Sequence, residues 1–155
     1  MNKSLKLSLC ILVPLLVGSI SGYFTSTSIT TWYVTLNKPS FNPPNYLFGP
    51  VWTTLYILMG ISLFLVLNKA KDLEKSKIIF VFSIQLILNF LWSFLFFKFQ
   101  QLGLALAEIL LMWCSILFMI IIFYKTNKLA ALINIPYLLW VSFATILTYS
   151  IYILN

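Results

Sequence analysis

The sequence contains no histidine, which excludes the commonest ligand of haem iron and of zinc. It also excludes nucleophilic sites that pair serine or cysteine with histidine. The two cysteines, Cys10 and Cys114, lie in apolar runs without the spacing of a disulfide framework or a zinc site. The chain has neither a glycine-rich phosphate loop nor a paired-carboxylate site. We therefore predict no metal site and no conventional catalytic machinery, which leaves open whether the protein is an enzyme.

Charged residues are scarce as well: they make up 8% of the 155 residues, whereas a soluble domain carries about a quarter. Hydrophobic residues make up 61%, so polar groups cannot cover the surface. The net charge of +7 comes from lysines at the ends of apolar runs, a placement typical of membrane topology rather than of nucleic-acid binding. The sequence therefore predicts a protein whose solvent is a lipid bilayer.

Five apolar segments are long enough to cross a bilayer, which takes about 20 residues in a helix. Their continuous apolar character indicates helices rather than the alternating strands of a barrel. A cleaved signal peptide is the alternative for the first segment, but no cleavage-site pattern follows it. We predict an all-α membrane protein, a single domain over 1–155, with transmembrane helices at about 5–24, 50–68, 78–97, 103–124 and 129–154.

The lysines also predict the orientation. The N-terminus and the second and fourth connectors carry eight lysines, whereas the other side of the membrane would carry only Lys38 and Lys98. The positive-inside rule then places the N-terminus in the cytoplasm and the C-terminus outside, in a multi-pass protein of the cell membrane.

The first connector, about 25–49, is longer than the 12–15 residues or so that ordinary loops reach. Three prolines of the connector, Pro39, Pro43 and Pro44, restrict its backbone, as does Pro50 at the start of the next segment. The aromatic residues of the connector require burial. We expect a long ordered loop that covers one end of the bundle, with Pro50 in the first turn of the second helix.

Polar and aromatic side chains recur at helical spacing on three predicted helices, so each set shares one face. Asparagine and glutamine are costly against lipid and should point inward, either to join helices or to contact a ligand. Tryptophan and tyrosine near span ends are alternatively an interfacial belt. Three such faces together favour a pocket. They are Phe48, Trp52, Tyr56 and Gly60; Gln85, Asn89 and Trp92, with Phe96 next; and Pro136, Trp140 and Ala144.

Three further features are ambiguous. Glu108 is the one acid inside a predicted span, where a charge is costly, and its role is equally well structural or functional. The pairs Gly18 with Gly22 and Gly103 with Ala107 are small-xxx-small patterns, which favour packing within the monomer or, alternatively, a dimer interface.

Several motifs together resemble a known family. They are Trp32-Tyr33, Lys38-Pro39-Ser40-Phe41, Pro43-Pro44, Gly49-Pro50-Val51-Trp52, Leu55-Tyr56, Met59-Gly60, Gln85, Leu88-Asn89, Trp92, Pro136-Tyr137-Leu138, Trp140, Phe143-Ala144-Thr145 and Tyr149. This pattern resembles the TspO/MBR family, whose members include translocator proteins (peripheral benzodiazepine receptors) and tryptophan-rich sensory proteins. The resemblance implies a five-helix bundle, a homodimer, and a pocket under the first loop that binds protoporphyrin IX and isoquinoline carboxamide ligands of the benzodiazepine site. Animal members also bind cholesterol through a Leu/Val…Tyr…Lys/Arg pattern; no Lys or Arg follows Tyr149 here, so that binding is not expected.

The resemblance and the aromatic faces together predict a ligand site. Trp52 and Trp140 would stack on a porphyrin, and Lys38 would meet its propionates. The porphyrin is the ligand, metal-free by preference because histidine is absent, although ligation by Cys, Met or Tyr stays open; no cofactor is required. The family also implies light- and oxygen-dependent porphyrin breakdown, for which Trp52 and Trp140 are the hypothetical photochemical residues. A tetrapyrrole transporter or a stress-sensing regulator is the alternative. The predicted ligand-binding residues are Tyr33, Lys38, Trp52, Tyr56, Asn89, Trp92, Cys114, Trp140, Phe143 and Ala144.

Overall fold

The computed structural model describes residues 2–155, which form five helical segments long and apolar enough to cross a membrane. The predicted all-α membrane bundle is thus confirmed. We number the helices in chain order, and the fifth span consists of α5 followed by α6. The helices are α1 (Lys3–Ile29), α2 (Phe48–Lys69), α3 (Asp72–Ser93), α4 (Leu102–Thr126), α5 (Lys128–Leu132) and α6 (Ile135–Leu154).

The first helix extends to Ile29, beyond the predicted end at 24. The segment 25–28 is rich in serine and threonine, and several of these hydroxyls donate to carbonyls of their own helix. Thr25 Oγ1 bonds Ser21 O at 3.0 Å, and Thr27 Oγ1 bonds Phe24 O at 2.9 Å. A helix can therefore carry these residues through lipid without an unpaired hydroxyl.

The first connector is consequently shorter than predicted and runs from 30 to 47, with 3₁₀ turns at Tyr33–Thr35 and Asn45–Leu47. Pro50 lies in the first turn of α2, as its missing N–H allows. The connector is attached to the end of α6, because Asn155 Nδ2 donates to Asn37 O at 2.9 Å. We call this end of the bundle the loop end. That the whole loop is ordered stays a prediction.

The fifth span is broken, although the sequence pattern predicts one helix over 129–154. Asn127 caps α5 by accepting from Leu129 N and Ala130 N. The chain then turns at 133–134, and Pro136 lies in the first turn of α6, where a missing N–H costs nothing. Asn134 Nδ2 donates to Ala130 O at 3.0 Å, so a buried side chain satisfies a carbonyl at the break.

A π-helical turn, Phe94–Lys98, continues α3 at the loop end. It changes the helical register, so that the neighbours Phe96 and Phe97 are both buried. Gln100, with φ 56°, then reverses the chain toward α4. The turn thus adds two adjacent aromatic rings to the interior at the loop end.

The helices α1 and α2 lie antiparallel, and they approach closely away from the loop end. A Cβ at Gly60 would meet the Ile11 backbone and Cys10 O, so glycine is needed there. Lys6 Nζ also donates to Asn68 Oδ1 at 2.8 Å across this contact. Near the loop end the same two helices border a cavity instead.

Candidate functional site

The cavity at the loop end has a volume of about 420 Å³ and lies between α1, α2, α3 and α6, beneath Tyr33. This volume is within the range of about 300–1,000 Å³ that small-molecule sites occupy. The lining residues, all from the part of the chain that the structure describes, include no charged side chain. The cavity therefore suits a largely apolar ligand.

Most of the predicted ligand-binding residues lie together around this cavity, although they come from the loop and from three different helices. Seven of them line it: Tyr33, Trp52, Tyr56, Asn89, Trp92, Trp140 and Ala144.

Aromatic rings form the walls. Trp52 is stacked on Tyr56, with ring centroids 5.7 Å apart and an interplanar angle of 28°. Trp92 is stacked on Phe96 at 5.1 Å and 25°. On the α6 side, Trp140 lies 6.2 Å from Phe48 at 70°, an edge-to-face arrangement. These pairs hold the indoles in place, and such pre-positioned rings can stack on a flat ligand.

A chain of buried hydrogen bonds closes the cavity away from the loop end. Tyr56 OH donates to Asn89 Oδ1 at 2.5 Å, and Asn89 Nδ2 donates to Tyr137 OH at 2.9 Å. Tyr137 OH in turn donates to Gln85 Oε1 at 2.8 Å. The network connects α2, α3 and α6, so the floor of the cavity is polar and its tyrosine hydroxyls and Asn89 amide are paired with one another. Gln85 Nε2, at the end of the network, has no partner among residues 2–155. Asn89 and Gln85 thus join helices, which is one of the two roles that their cost against lipid predicts.

Three other buried polar atoms bordering the cavity have no hydrogen-bond partner within residues 2–155. They are Trp92 Nε1, Trp140 Nε1 and Ser21 Oγ. Indole nitrogens can only donate, whereas the hydroxyl can donate or accept. Buried polar groups are normally paired, so these atoms are candidates to bind acceptor groups of a ligand or ordered water.

The loop contributes Tyr33, which is 2% exposed. Its hydroxyl donates to Asn42 Oδ1 at 2.6 Å, which fixes the ring beneath the connector. Burial raises the pKa of Tyr33 to about 12, which outweighs the opposing effect of the Asn42 bond. The phenol is therefore neutral near pH 7, in keeping with a site without charges.

Three predicted site residues do not line the cavity. Lys38 Nζ donates to Tyr33 O and Leu36 O, both at 2.8 Å, so it holds the loop backbone rather than facing a ligand. Phe143 packs behind Trp140, with centroids 5.5 Å apart. Cys114 is exposed on α4, which contributes no lining residue from 2–155. The fold of the loop brings these two carbonyls close to Lys38 Nζ. The spacing of residues along the sequence does not reveal this proximity.

Glu108 also lies away from the cavity lining. It is buried on α4, and neither carboxyl oxygen has a partner among the described residues. A charge at such a position is costly, and no ligand-facing role follows from its location.

The wall formed by α1 was missed by the sequence reasoning. Its small residues looked like a packing motif, and only Gly18 fits that reading, because a Cβ there would overlap the Tyr56 ring. A Cβ at Gly22 would meet nothing within 4 Å. The serine- and threonine-rich run on one face of α1 was the available signal. The other unpredicted lining residues include Ser19, Ser21, Thr25, Ser26, Phe97, Leu147, Thr148 and Ile151.

Comparison with known proteins gives a consistent result. The TspO/MBR family model matches residues 10–154. The chain is 44% identical to the Tryptophan-rich protein TspO of Chlorobaculum tepidum, covering 100% of this chain and 99% of that protein. It is 42% identical to the protein of the same name from Archaeoglobus fulgidus, covering 97% of each.

Similarity extends to a human protein named Translocator protein, which is 34% identical over 91% of this chain and 85% of its own length. The family match covers nearly the whole sequence and agrees with the five-helix fold and the tryptophan-lined cavity. The chain belongs to the TspO/MBR family.

Proposed function

We propose that this membrane protein binds a tetrapyrrole such as protoporphyrin IX in the loop-end cavity. The observation that carries the proposal is the cavity itself, about 420 Å³ in volume, with aromatic walls and without a charged lining residue from 2–155. A metal-free porphyrin is a flat, apolar macrocycle, so it gains most from ring faces that are already held in position. Isoquinoline carboxamide ligands share flat aromatic rings and should compete for the same space.

The arrangement suggests roles for individual residues. Trp52 on α2 and Trp140 on α6 would contact the macrocycle, and the unpartnered Trp140 Nε1 would donate to an acceptor on its rim. Ala144, one turn after Trp140, would keep α6 free of bulk at this point. Because Lys38 is bound to loop carbonyls, the propionates would lie toward Asn45 and water at the loop end.

The membrane setting of the proposal follows from the lysine distribution. We place the protein in the cell membrane with the N-terminus in the cytoplasm, so that the loop end and the C-terminus lie outside. A homodimer is part of the proposal, by analogy with the family. A C-terminal tag should react with a membrane-impermeant reagent in intact cells. A tag that reacts only after the membrane is permeabilised would contradict this orientation.

Photochemical breakdown of bound porphyrin is a second candidate function. It is favoured by the three indoles that line the cavity, Trp52, Trp92 and Trp140, of which Trp52 and Trp140 are the predicted photochemical residues. Excited porphyrin would take an electron from a neighbouring indole and pass it to molecular oxygen, which becomes superoxide. The indole radical cation would then regain an electron from the macrocycle, so that the macrocycle is oxidised and oxygen is reduced. Transport or sensing is the alternative, and the names of the human Translocator protein and of the Tryptophan-rich sensory protein of Cereibacter sphaeroides suggest these roles for those relatives.

The first experiment is an absorbance titration of the purified protein with protoporphyrin IX, followed over time in light and in darkness. A shifted Soret band that bleaches only in light, faster than free porphyrin, would support binding with photochemistry. A shifted but stable band would support binding alone and would favour transport or sensing, which flux from porphyrin-loaded vesicles would then distinguish. No shift would contradict tetrapyrrole binding.

Replacing the indoles separates binding from photochemistry. Trp52→Phe and Trp140→Phe keep an aromatic face, so we expect the dissociation constant to rise by less than about tenfold, or 1.4 kcal/mol. The bleaching rate in light should fall much further, because phenylalanine is a far poorer electron donor. If both variants bleach porphyrin at the wild-type rate, the indole mechanism is wrong.

A further inference from the structure

The side of the cavity between α1 and α2 is bordered by small, exposed residues. On α1 these are Ser19, Gly22 and Ser26, whose spacing places them on one helical face. On α2 they are Gly49 and Thr53, one turn apart. They line the cavity and are exposed at the same time, so they mark an opening in its wall. We call these five residues the seam opening.

The opening has free space rather than a tight helix contact. Added Cβ atoms at Gly22 and at Gly49 would meet nothing within 4 Å. Larger apolar side chains of α1 lie beside the opening and point outward, with Ile20 50% exposed and Tyr23 66% exposed. The gap is therefore a consequence of small side chains at the seam and not of a general separation from the bundle.

The hydroxyls at the opening are already satisfied by their own helices. Ser19 Oγ donates to Leu15 O at 2.7 Å, Ser26 Oγ to Tyr23 O at 2.8 Å, and Thr53 Oγ1 to Gly49 O at 2.9 Å. An apolar molecule that passes these residues breaks no bond and leaves no donor unpaired. Just inside, Ser21 is 3% exposed and borders the cavity, and its Oγ has no partner in the described chain, as expected of a group that awaits a ligand.

All five residues belong to segments long and apolar enough to span a membrane. The medium outside the opening is therefore lipid. At the loop end the connector covers the cavity with buried Tyr33, around which Lys38 and Asn42 bind, and the exposed lining residue of the connector is Asn45.

We propose that the ligand enters the cavity sideways from the bilayer, through the seam opening between α1 and α2. The inference rests on the proposed function and extends it, because such an entrance selects ligands that partition into lipid before they bind. Water-soluble molecules of the same size would reach the cavity slowly, even if they fitted it.

Blocking the opening reversibly tests the proposal. Exposed Cys114 is first replaced by alanine, and Gly22→Cys is added; the other cysteine, Cys10, is buried. Benzyl methanethiosulfonate then adds a ring at position 22, and dithiothreitol removes it. Leu16→Cys is the matched control, since Leu16 is 61% exposed on α1 and does not line the cavity. The measurement is the association rate of protoporphyrin IX with protein in nanodiscs, followed by quenching of tryptophan fluorescence.

We expect the label at position 22 to lower the association rate by about tenfold or more, with recovery after dithiothreitol, since binding that requires a conformational change is slow. The label at position 16 should leave the rate unchanged. Thr53→Phe, across the opening, should slow association in the same direction without any label. Because each labelled protein is compared with itself after reduction, misfolding cannot imitate this result.

Other outcomes would overturn the proposal. If the unlabelled protein binds porphyrin and neither the label at position 22 nor Thr53→Phe slows association, the entrance is elsewhere while the proposed function survives. If the label instead converts a dimer to monomers at an unchanged rate, as light scattering would show, the seam is a subunit contact. If the unlabelled protein does not bind porphyrin at all, the proposed function and the entrance both fail.

Discussion

The contact between α1 and α2 differs along its length. Away from the loop end, Gly60 lies against the backbone at Cys10 and Ile11, and the helices are closely packed. Near the loop end, Gly22 and Gly49 border the cavity with open space around them. The same residue type thus allows close packing in one half of the contact and leaves room for a ligand in the other. Substitutions in the closely packed half should therefore act mainly on stability, and substitutions around the cavity mainly on ligand binding.

Gly60→Val should be the most damaging change. Its Cβ would lie about 2.5 Å from Ile11 Cα and 2.7 Å from Cys10 O, which are backbone atoms that cannot move aside. We expect the free energy of unfolding to fall by about 3 kcal/mol. Thermal or denaturant unfolding of the detergent-solubilised protein measures this change. Gly49→Val, at the open half, is the control for the added bulk. Equal stability of both variants would show that the two halves do not differ in packing.

Asn89→Leu should destabilise the floor of the cavity. The change removes the acceptor of Tyr56 OH and one donor to Tyr137 OH, both of which are buried. We expect a loss of about 1–3 kcal/mol, because the remaining hydroxyl of Tyr56 is left without a partner. Thr53→Val, which removes a hydroxyl bonded within its own helix, should cost less than about 0.5 kcal/mol. A similar cost for both would mean that the network contributes little.

Ala144→Thr should weaken ligand binding while leaving the fold intact. Ala144 lines the cavity on α6, so a larger side chain would occupy space that the porphyrin needs. We expect the dissociation constant to rise by about tenfold, equivalent to 1.4 kcal/mol. Ala107→Thr, at an exposed position on α4, is the control. Unchanged affinity in Ala144→Thr would place the ligand elsewhere.

Gly22→Ala should have the smallest effect and the opposite sign. Alanine has room at this position and favours the helix, so stability should rise by up to about 1 kcal/mol. Gly18→Ala, one turn earlier on α1, should instead destabilise, because its Cβ would overlap the Tyr56 ring. Thermal unfolding of the two variants compares them directly. Shifts of the same sign would mean that both glycines serve one purpose.

The sequence by itself determined the solvent, the number of spans and most of the aromatic cavity wall. Scarce charge allows few solutions other than a membrane, and the backbone must then form helices, since lipid offers no hydrogen-bond partners. Given helices, residues four apart share a face, so Trp52 and Tyr56 could be placed on one wall, and Trp140 and Ala144 on another. Asn89 followed from the cost of an amide against lipid.

Only the tertiary structure decided the rest. In lipid, small residues on α1 look the same whether they pack against a helix or border a cavity, because hydrophobicity does not distinguish the two. The distance to the neighbouring helix distinguishes the two cases: Gly18 packs against the Tyr56 ring, whereas Gly22 has open space around it and forms part of the seam opening. Lys38 likewise bonds to a loop carbonyl at 2.8 Å instead of lining the cavity. The π-helical turn after α3 places Phe97 in the interior. Each of these outcomes depends on where elements distant along the chain meet, which no local pattern specifies.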